Sequence, residues 1–294
     1  MKKVNLKDKV DFFDSYKLQV QSFIKDNLCA FGKPSLLLEA CDYALSSGGK
    51  RYRPSLVLMI ASALNKGADV RFAALSVEFF HTASLVADDL PSMDDDDERR
   101  HQPSVHKKYG EGVALLTSYA LIAAGYECII KNVCVLRDAK LSFSAESDLI
   151  GMLALENATF NTGLNGATGG QFLDIAPPDF SLETLKEIIH KKTSSLFEIA
   201  FVFGWLFGGG DLKRLEEVKA AASHFGLSFQ IVDDFGDRVQ DIKNGRTINL
   251  VNVFGEEVAA QIFYEEIEAY KQKIRALGLG STELFTVVDE LKIT

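Results

Sequence analysis

The chain has 294 residues, 47% hydrophobic and 25% charged, with six prolines and a net charge of −9. That is enough apolar material for a large core, and the acidic balance argues against a nucleic-acid binder. Four cysteines without CxxC or zinc-type spacing fit reduced thiols in a cytoplasmic protein.

The opening MKKVNLKDKVDFF holds no apolar stretch of signal-peptide type. Apolar residues then recur with a helical period, as in Phe72, Leu75, Phe79 and Ala83, and later Leu182, Leu185, Ile188 and Ile189. Strand-like alternation between hairpin turns is nearly absent, and the prolines fall at breaks. No Gly/Ser or Pro linker divides the chain. Residues 1–294 therefore read as a single all-α domain, a large bundle of roughly ten helices, several apolar around much of their circumference. The longest greasy run, Leu196 to Phe207, carries Glu198 and is too short to span a bilayer, so no transmembrane segment is expected.

The first element with chemical content is SSGGKRYRP, Ser46 to Pro54. Lys50, Arg51 and Arg53 follow a glycine pair that lets the backbone approach a phosphate-sized anion, although the P-loop spacing is missing. An apolar helix then runs into LVADDLPSMDDDDERR, with seven carboxylates in the thirteen residues 88–100 and Pro91 bending or ending the helix. Next come NTGLNGATGG (161–170), a glycine-rich loop, and HKKTSSLFE, which sets Lys192 and Thr193 before an apolar stretch. A second apolar helix ends on aspartates in FQIVDDFGD, where Asp233 and Asp237, four apart, share one helical face.

One acidic run is ordinarily a solvated face. Two, each closing an apolar helix, suggest facing carboxylates that repel one another until a cation neutralises them. Hard oxygen ligands suit Mg²⁺, which completes its octahedron with substrate phosphates; an EF-hand is excluded because the loop glycine and closing glutamate are missing. A different reading takes Glu78–His81 and Glu187–His190 as paired Glu-x-x-His ligands of a di-iron bundle. His106 and His224 show no spacing that suggests a metal, and Asp95 to Glu98 read as solvated or supporting groups.

From about Lys33 onward the sequence resembles the trans-isoprenyl diphosphate synthases of the bacterial farnesyl and geranylgeranyl type. GGKRYRP, HTASLVADDLPSMDDDDERR, GGQFLDI, KKTSSLFEIA and GLSFQIVDDFGD carry the resemblance, in the family's order. It implies a helical bundle with a central cavity between the aspartate motifs, commonly a homodimer. It also implies head-to-tail condensation of isopentenyl diphosphate with an allylic diphosphate. By the resemblance, Asp88, Asp89, Asp94, Asp233, Asp234 and Asp237 hold Mg²⁺, or Mn²⁺ in its place, and Arg99 contacts the allylic diphosphate. Gly49, Lys50, Arg53, His81 and Arg100 match the isopentenyl diphosphate site, and Lys192, Thr193 and Gln230 lie near the leaving group and developing cation.

Ala83 and Phe80, five and eight residues before Asp88 on roughly the same helical face, are the chain-length candidates. Short-chain members of the family often carry an aromatic where Ala83 stands, so a product longer than C15, of C20 type, is expected. Three departures stand out. His101 replaces a glycine, Tyr119 stands where a Gly-Asp pair is common, and the segment after Asp237 is short and lacks the first of the lysines the resemblance implies. Arg238 and Arg246 are the candidate replacements. A terpene cyclase and a non-catalytic or partner-dependent subunit are the other readings.

Overall fold

The computed structural model describes residues 6–243, 249–280 and 282–293. Helices α1 (Leu6–Asn27), α2 (Leu36–Ser46), α3 (Tyr52–Leu64) and α4 (Arg71–Asp88) come first. A two-residue hairpin follows, β1 (Glu98–Arg99) with β2 (Gln102–Pro103), then α5 (Val105–Tyr109), α6 (Glu111–Asp138), α7 (Ser147–Thr162), α8 (Ala167–Ile175) and α9 (Leu182–Ile189). A π-helical turn, His190–Ser194, joins α9 to α10 (Ser195–Phe207). The remaining helices are α11 (Leu215–Lys243), α12 (Leu250–Phe254), α13 (Glu256–Ala276) and α14 (Glu283–Asp289). The all-α expectation holds, and the small hairpin is the one addition among the described residues.

Local chemistry sets several boundaries. Ser35 and Ser181 cap α2 and α9 through hydroxyls that accept the N–H groups of Leu38 and Thr184, each at 3.2 Å. α10 lies at the centre: every residue except Glu198 is buried, which is what a sequence apolar around its whole circumference requires. It packs against α3, α4, α7 and α11, while α4 packs chiefly on α6. The main core runs from Val20 to Leu291 and includes Phe79, Phe197, Phe201, Phe203, Phe207 and Phe225.

Two expectations are corrected. α7 continues to Thr162 and α8 starts at Ala167, so most of the glycine-rich stretch is helical and only 163–166 is loop. The longest apolar helix is α6, not the 196–207 run. By length and composition α6 could cross a membrane, with 39% of its most apolar window buried in the protein. Its apolar pattern was diluted by Glu127 and Lys131, which pair at 3.0 Å on one face.

At the heart of the bundle Arg51 forms an ion pair with Glu78, both side chains 2% exposed, and also donates to the Leu45 carbonyl. Removing one partner of such a pair strands a buried charge. Glu78→Gln is therefore expected to lower unfolding free energy by about 3 kcal/mol, read by chemical denaturation. Wild-type stability in the variant would overturn this account of the pair.

Candidate active site

α4 delivers the first aspartate motif. Asp88 is its last residue, and the chain turns at Pro91 so that the Asp94 N–H donates to the Asp88 carbonyl at 2.9 Å. This fold-back sets Asp94 beside Asp88 and Asp89. Burial pushes the Asp88 carboxyl up to about 6; the Asp94 charge adds to the rise, and Lys192 opposes it. Asp89, 2% exposed, is raised by burial as well, against the pull of Arg99, whose Nε donates to it at 2.8 Å.

The hairpin after the motif places the two arginines. Arg100 and His101 form its two-residue turn with φ of +56° and +63°, the primed geometry that suits tight hairpins. His101 sits in a left-handed conformation that glycine adopts freely and histidine adopts more readily than most residues. Arg99 is held on Asp89, with Asp96 at 3.5 Å, while Arg100 turns the other way and donates to the Gly48 carbonyl. Its guanidinium lies over Gly49, whose φ of +120° is a conformation that residues with a Cβ rarely adopt.

The second motif lies on α11. Burial lifts Asp233 to about 6, the Asp237 charge reinforces this, and Lys50, 4.0 Å away, counteracts it. The π-turn connects the two motifs. Lys192 pairs with Asp174 of α8 and faces Asp88, while Thr193 Oγ1 donates to Gln230 Oε1 at 2.7 Å. Gln230 Nε2 in turn donates to Asp234 Oδ1 at 2.9 Å. α8 reaches the turn because residue 170 is glycine: a Cβ there would meet the Lys192 nitrogen at 2.3 Å.

A cavity of about 1050 Å³ opens among α3, α4, α11 and the hairpin, lined by Asp233 and Asp237 of the second motif but not by Asp88, Asp89 or Asp94. Lys50, Arg53, His81, Arg99 and Arg100 line one part, Asp233 and Asp237 another, with Thr193, Gln230 and Phe229 between. Arg53 stacks on Phe197 at 4.1 Å and its NH1 lies 3.4 Å from His81 Nε2. Arg53 can only donate, so Nε2 accepts and Nδ1 carries the proton. Burial and the Arg53 and Arg100 charges hold His81 well below the usual histidine range, keeping it neutral. Among the described residues the buried Arg53 Nε and His81 Nδ1 have no hydrogen-bond partner, so an anion finds unused donors here. A second cavity of about 830 Å³ lies between α1 and α2 and contains neither aspartate motif.

Other candidates fall elsewhere. Ala83 and Phe80 share a face, but it is turned to α6: Ser118 donates to the Ala83 carbonyl, and Phe80 meets Tyr126 edge-on at 4.9 Å. The cavity wall on α4 is instead Glu78, His81 and Leu85. Both carboxylate oxygens of Asp234 accept hydrogen bonds, from Gln230 and from Leu250 N–H at 2.8 Å, which anchors α12. Arg238 pairs with Glu256 of α13, and Arg246 lies outside the described residues. The di-iron reading loses its ligands: Glu78 is taken by Arg51, Glu187 pairs with Lys191, and His190 lies beside Ser223. Asp174 was not singled out as a site residue; its place three residues after Gln171 in GGQFLDI was the available signal. Asp95, Asp97 and His106 do meet, although their spacing had suggested no metal.

The family model described as polyprenyl synthetase matches residues 34–248, which include both aspartate motifs, the cationic wall and the π-turn. The chain belongs to this family. It is 37% identical over 209 residues to the chloroplastic geranylgeranyl pyrophosphate synthase of Capsicum annuum, covering 70% of this chain. That match spans only 54% of the pepper protein, about half its length. It is 35% identical over 230 residues to the farnesyl diphosphate synthase of Geobacillus stearothermophilus, covering 77% of this chain and 74% of that one. The crystal structure of a geranyltransferase from Legionella pneumophila superposes with a TM-score of 0.82 at 25% identity, covering 97% of each chain. The paired carboxylates, raised by burial and mutual repulsion, are a donor set of hard oxygens that fits a divalent cation.

Proposed function

We propose that the chain, acting as one domain, is a Mg²⁺-dependent trans-prenyltransferase. It joins isopentenyl diphosphate head-to-tail to an allylic diphosphate (dimethylallyl, geranyl or farnesyl) and releases an all-trans product of C15–C20, mainly C20. The observation that carries this reading is one cavity in which the cations Lys50, Arg53 and Arg100, with neutral His81 beside them, face Asp233 and Asp237 across Thr193 and Gln230.

Asp88, Asp89 and Asp94, with Asp233 and Asp237, would hold the ions, and Asp234 would join them only by giving up its hydrogen bonds from Gln230 and Leu250. Bound Mg²⁺, or Mn²⁺, supplies the charge that stabilises a departing diphosphate. Lys192 and Arg99 add fixed positive charge on the first-motif side, each already poised on a carboxylate. Thr193 and Gln230 turn oriented dipoles toward the allylic cation inside a wall closed by Phe229. Lys50, Arg53 and Arg100 hold the second diphosphate without metal, with neutral His81 donating from Nδ1. The double bond of isopentenyl diphosphate attacks the allylic cation, and the released diphosphate takes the proton, so no further base is needed.

Incubation with labelled isopentenyl diphosphate, geranyl or farnesyl diphosphate and Mg²⁺ is expected to give a labelled C20 prenyl diphosphate, lost on chelation. Allylic substrate consumed without isopentenyl incorporation would replace this reading with a cyclase. Incorporation only beside a partner protein would replace it with a partner-dependent subunit.

The active form is proposed as a cytoplasmic homodimer. The four cysteines are free thiols, which suits a reducing compartment. α6 and α7 present Leu115, Leu116, Tyr119, Ile130, Met152 and Leu155 to the outside, and Tyr119, where a Gly-Asp pair was expected, is 59% exposed on this face. A second copy would cover it, and with it the exposed part of the long apolar helix. Sedimentation is expected to give a dimer for wild type and a monomer for Met152→Glu; a monomeric wild type would refute the assembly.

A further inference from the structure

We infer that Asp95, Asp97 and His106 form a second metal site, for a transition-metal ion of the Zn²⁺ kind, on the outer side of the loop that carries Asp94. One ligand atom from each residue lies within 4.8 Å of the others. Tetrahedral Zn²⁺ sites space their ligands by about 3.4 Å, so side-chain rotations on an exposed loop close the remaining gap. The decisive observation is His106. Only 6% of its surface is exposed, its Nδ1 is engaged by Ser104 Oγ at 3.0 Å, and its buried Nε2 has no hydrogen-bond partner among the described residues. In the tautomer whose Nδ1–H donates to the Ser104 hydroxyl, Nε2 keeps a free lone pair, the state a metal-ligating histidine needs, and a nitrogen of this ring lies within 4.8 Å of both carboxylates.

The donor set separates this site from the aspartate clamps. Imidazole with two carboxylates favours Zn²⁺ or Co²⁺ over Mg²⁺, whereas the all-oxygen clamps suit Mg²⁺. Asp97 is now neutralised by Lys107, 2.6 Å away and on the exposed side, which must swing outward when an ion enters. Bound metal ties residues 94–97 to the start of α5, with Asp94 at one end of the tether and Arg99 just beyond the other. The inference stands on binding alone and does not depend on the proposed reaction.

Co²⁺ titrated into the purified chain in excess Mg²⁺ tests it. One Co²⁺ per chain is expected, with the visible bands of a low-coordinate site that Zn²⁺ displaces. The signal should persist in the double variant Asp88→Asn/Asp233→Asn. In Asp97→Asn and His106→Gln, affinity should fall by about 100-fold or more. Asp97 is exposed, so its variant is informative even if His106→Gln fails to fold. Unchanged Co²⁺ bands in Asp97→Asn, or bands lost in the Asp88→Asn/Asp233→Asn variant, would overturn the assignment.

Discussion

Asp88→Asn is expected to lower kcat/KM for condensation by on the order of 10³-fold, about 4 kcal/mol of transition-state stabilisation, with the fold intact. Asp88 sits where burial, Asp94 and Lys192 meet, and it is among the carboxylates whose proton affinity the fold raises. Asparagine keeps the shape and removes the charge that a cation would neutralise. Because a raised carboxyl is an unfavourable charge in the metal-free fold, the variant should be as stable as wild type without metal, or more so. That combination, lost activity with retained stability, distinguishes a ligand from a structural aspartate. A kcat/KM within about tenfold of wild type would remove Asp88 from the clamp.

The same shifts fix the sign of the pH dependence. With Asp88 and Asp233 near 6 in the fold against 3.8 for the ordinary carboxyl, the metal-free fold binds more protons than the unfolded chain between those values. Its stability therefore falls as pH rises through that window. Mg²⁺ competes with the same protons, so its affinity should be level above about pH 7 and weaken below about pH 6. The Mg²⁺-induced rise in Tm should accordingly be larger at about pH 7.5 than at about pH 5. An equal rise at both would contradict the buried-carboxylate picture.

Periodicity and punctuation made much of this architecture legible. Apolar helices ending on paired aspartates were visible as a local pattern, and α10 announced its burial by being apolar on every side. What escaped was geometry produced by backbone departures. Nothing in HKKTSS says that the turn takes π form, yet it is from that turn that Lys192 reaches Asp174 and Thr193 reaches Gln230. Positive φ at Arg100 was likewise hidden, because arginine does not signal it, whereas the missing glycine at His101 was a hint. Side-chain competition was the other blind spot. Asp234 and Arg238 carry suitable chemistry, but Leu250 N–H and Glu256, distant in sequence, engage them first. Asp95, Asp97 and His106 met because the hairpin reverses the chain between them, a reversal that linear spacing rules cannot see.

Ala83→Phe is expected to convert a mainly C20 product to mainly C15, resolved by chromatography of the dephosphorylated alcohols. The structure changes where this effect must arise. Ala83 is 1% exposed and faces α6, off the wall that His81 and Leu85 give the cavity. On the proposed reading, a chain growing from a diphosphate at Asp88 passes Ala83 only by entering between α4 and α6, and Phe80 lies further along that seam. Phe80 rests on Gly125, where an added Cβ would come 2.5 Å from its ring, and against Tyr126. An aromatic at residue 83 fills the seam one turn nearer the diphosphate than Phe80, so elongation stops earlier. Overpacking should cost about 1–3 kcal/mol, a modest loss in Tm that leaves the first condensation running. Phe80→Ala acts in the opposite sense: it deepens the seam above Gly125 and should extend the product beyond that of wild type. A C15 wild-type product unaffected by the aromatic would show that the chain takes another path.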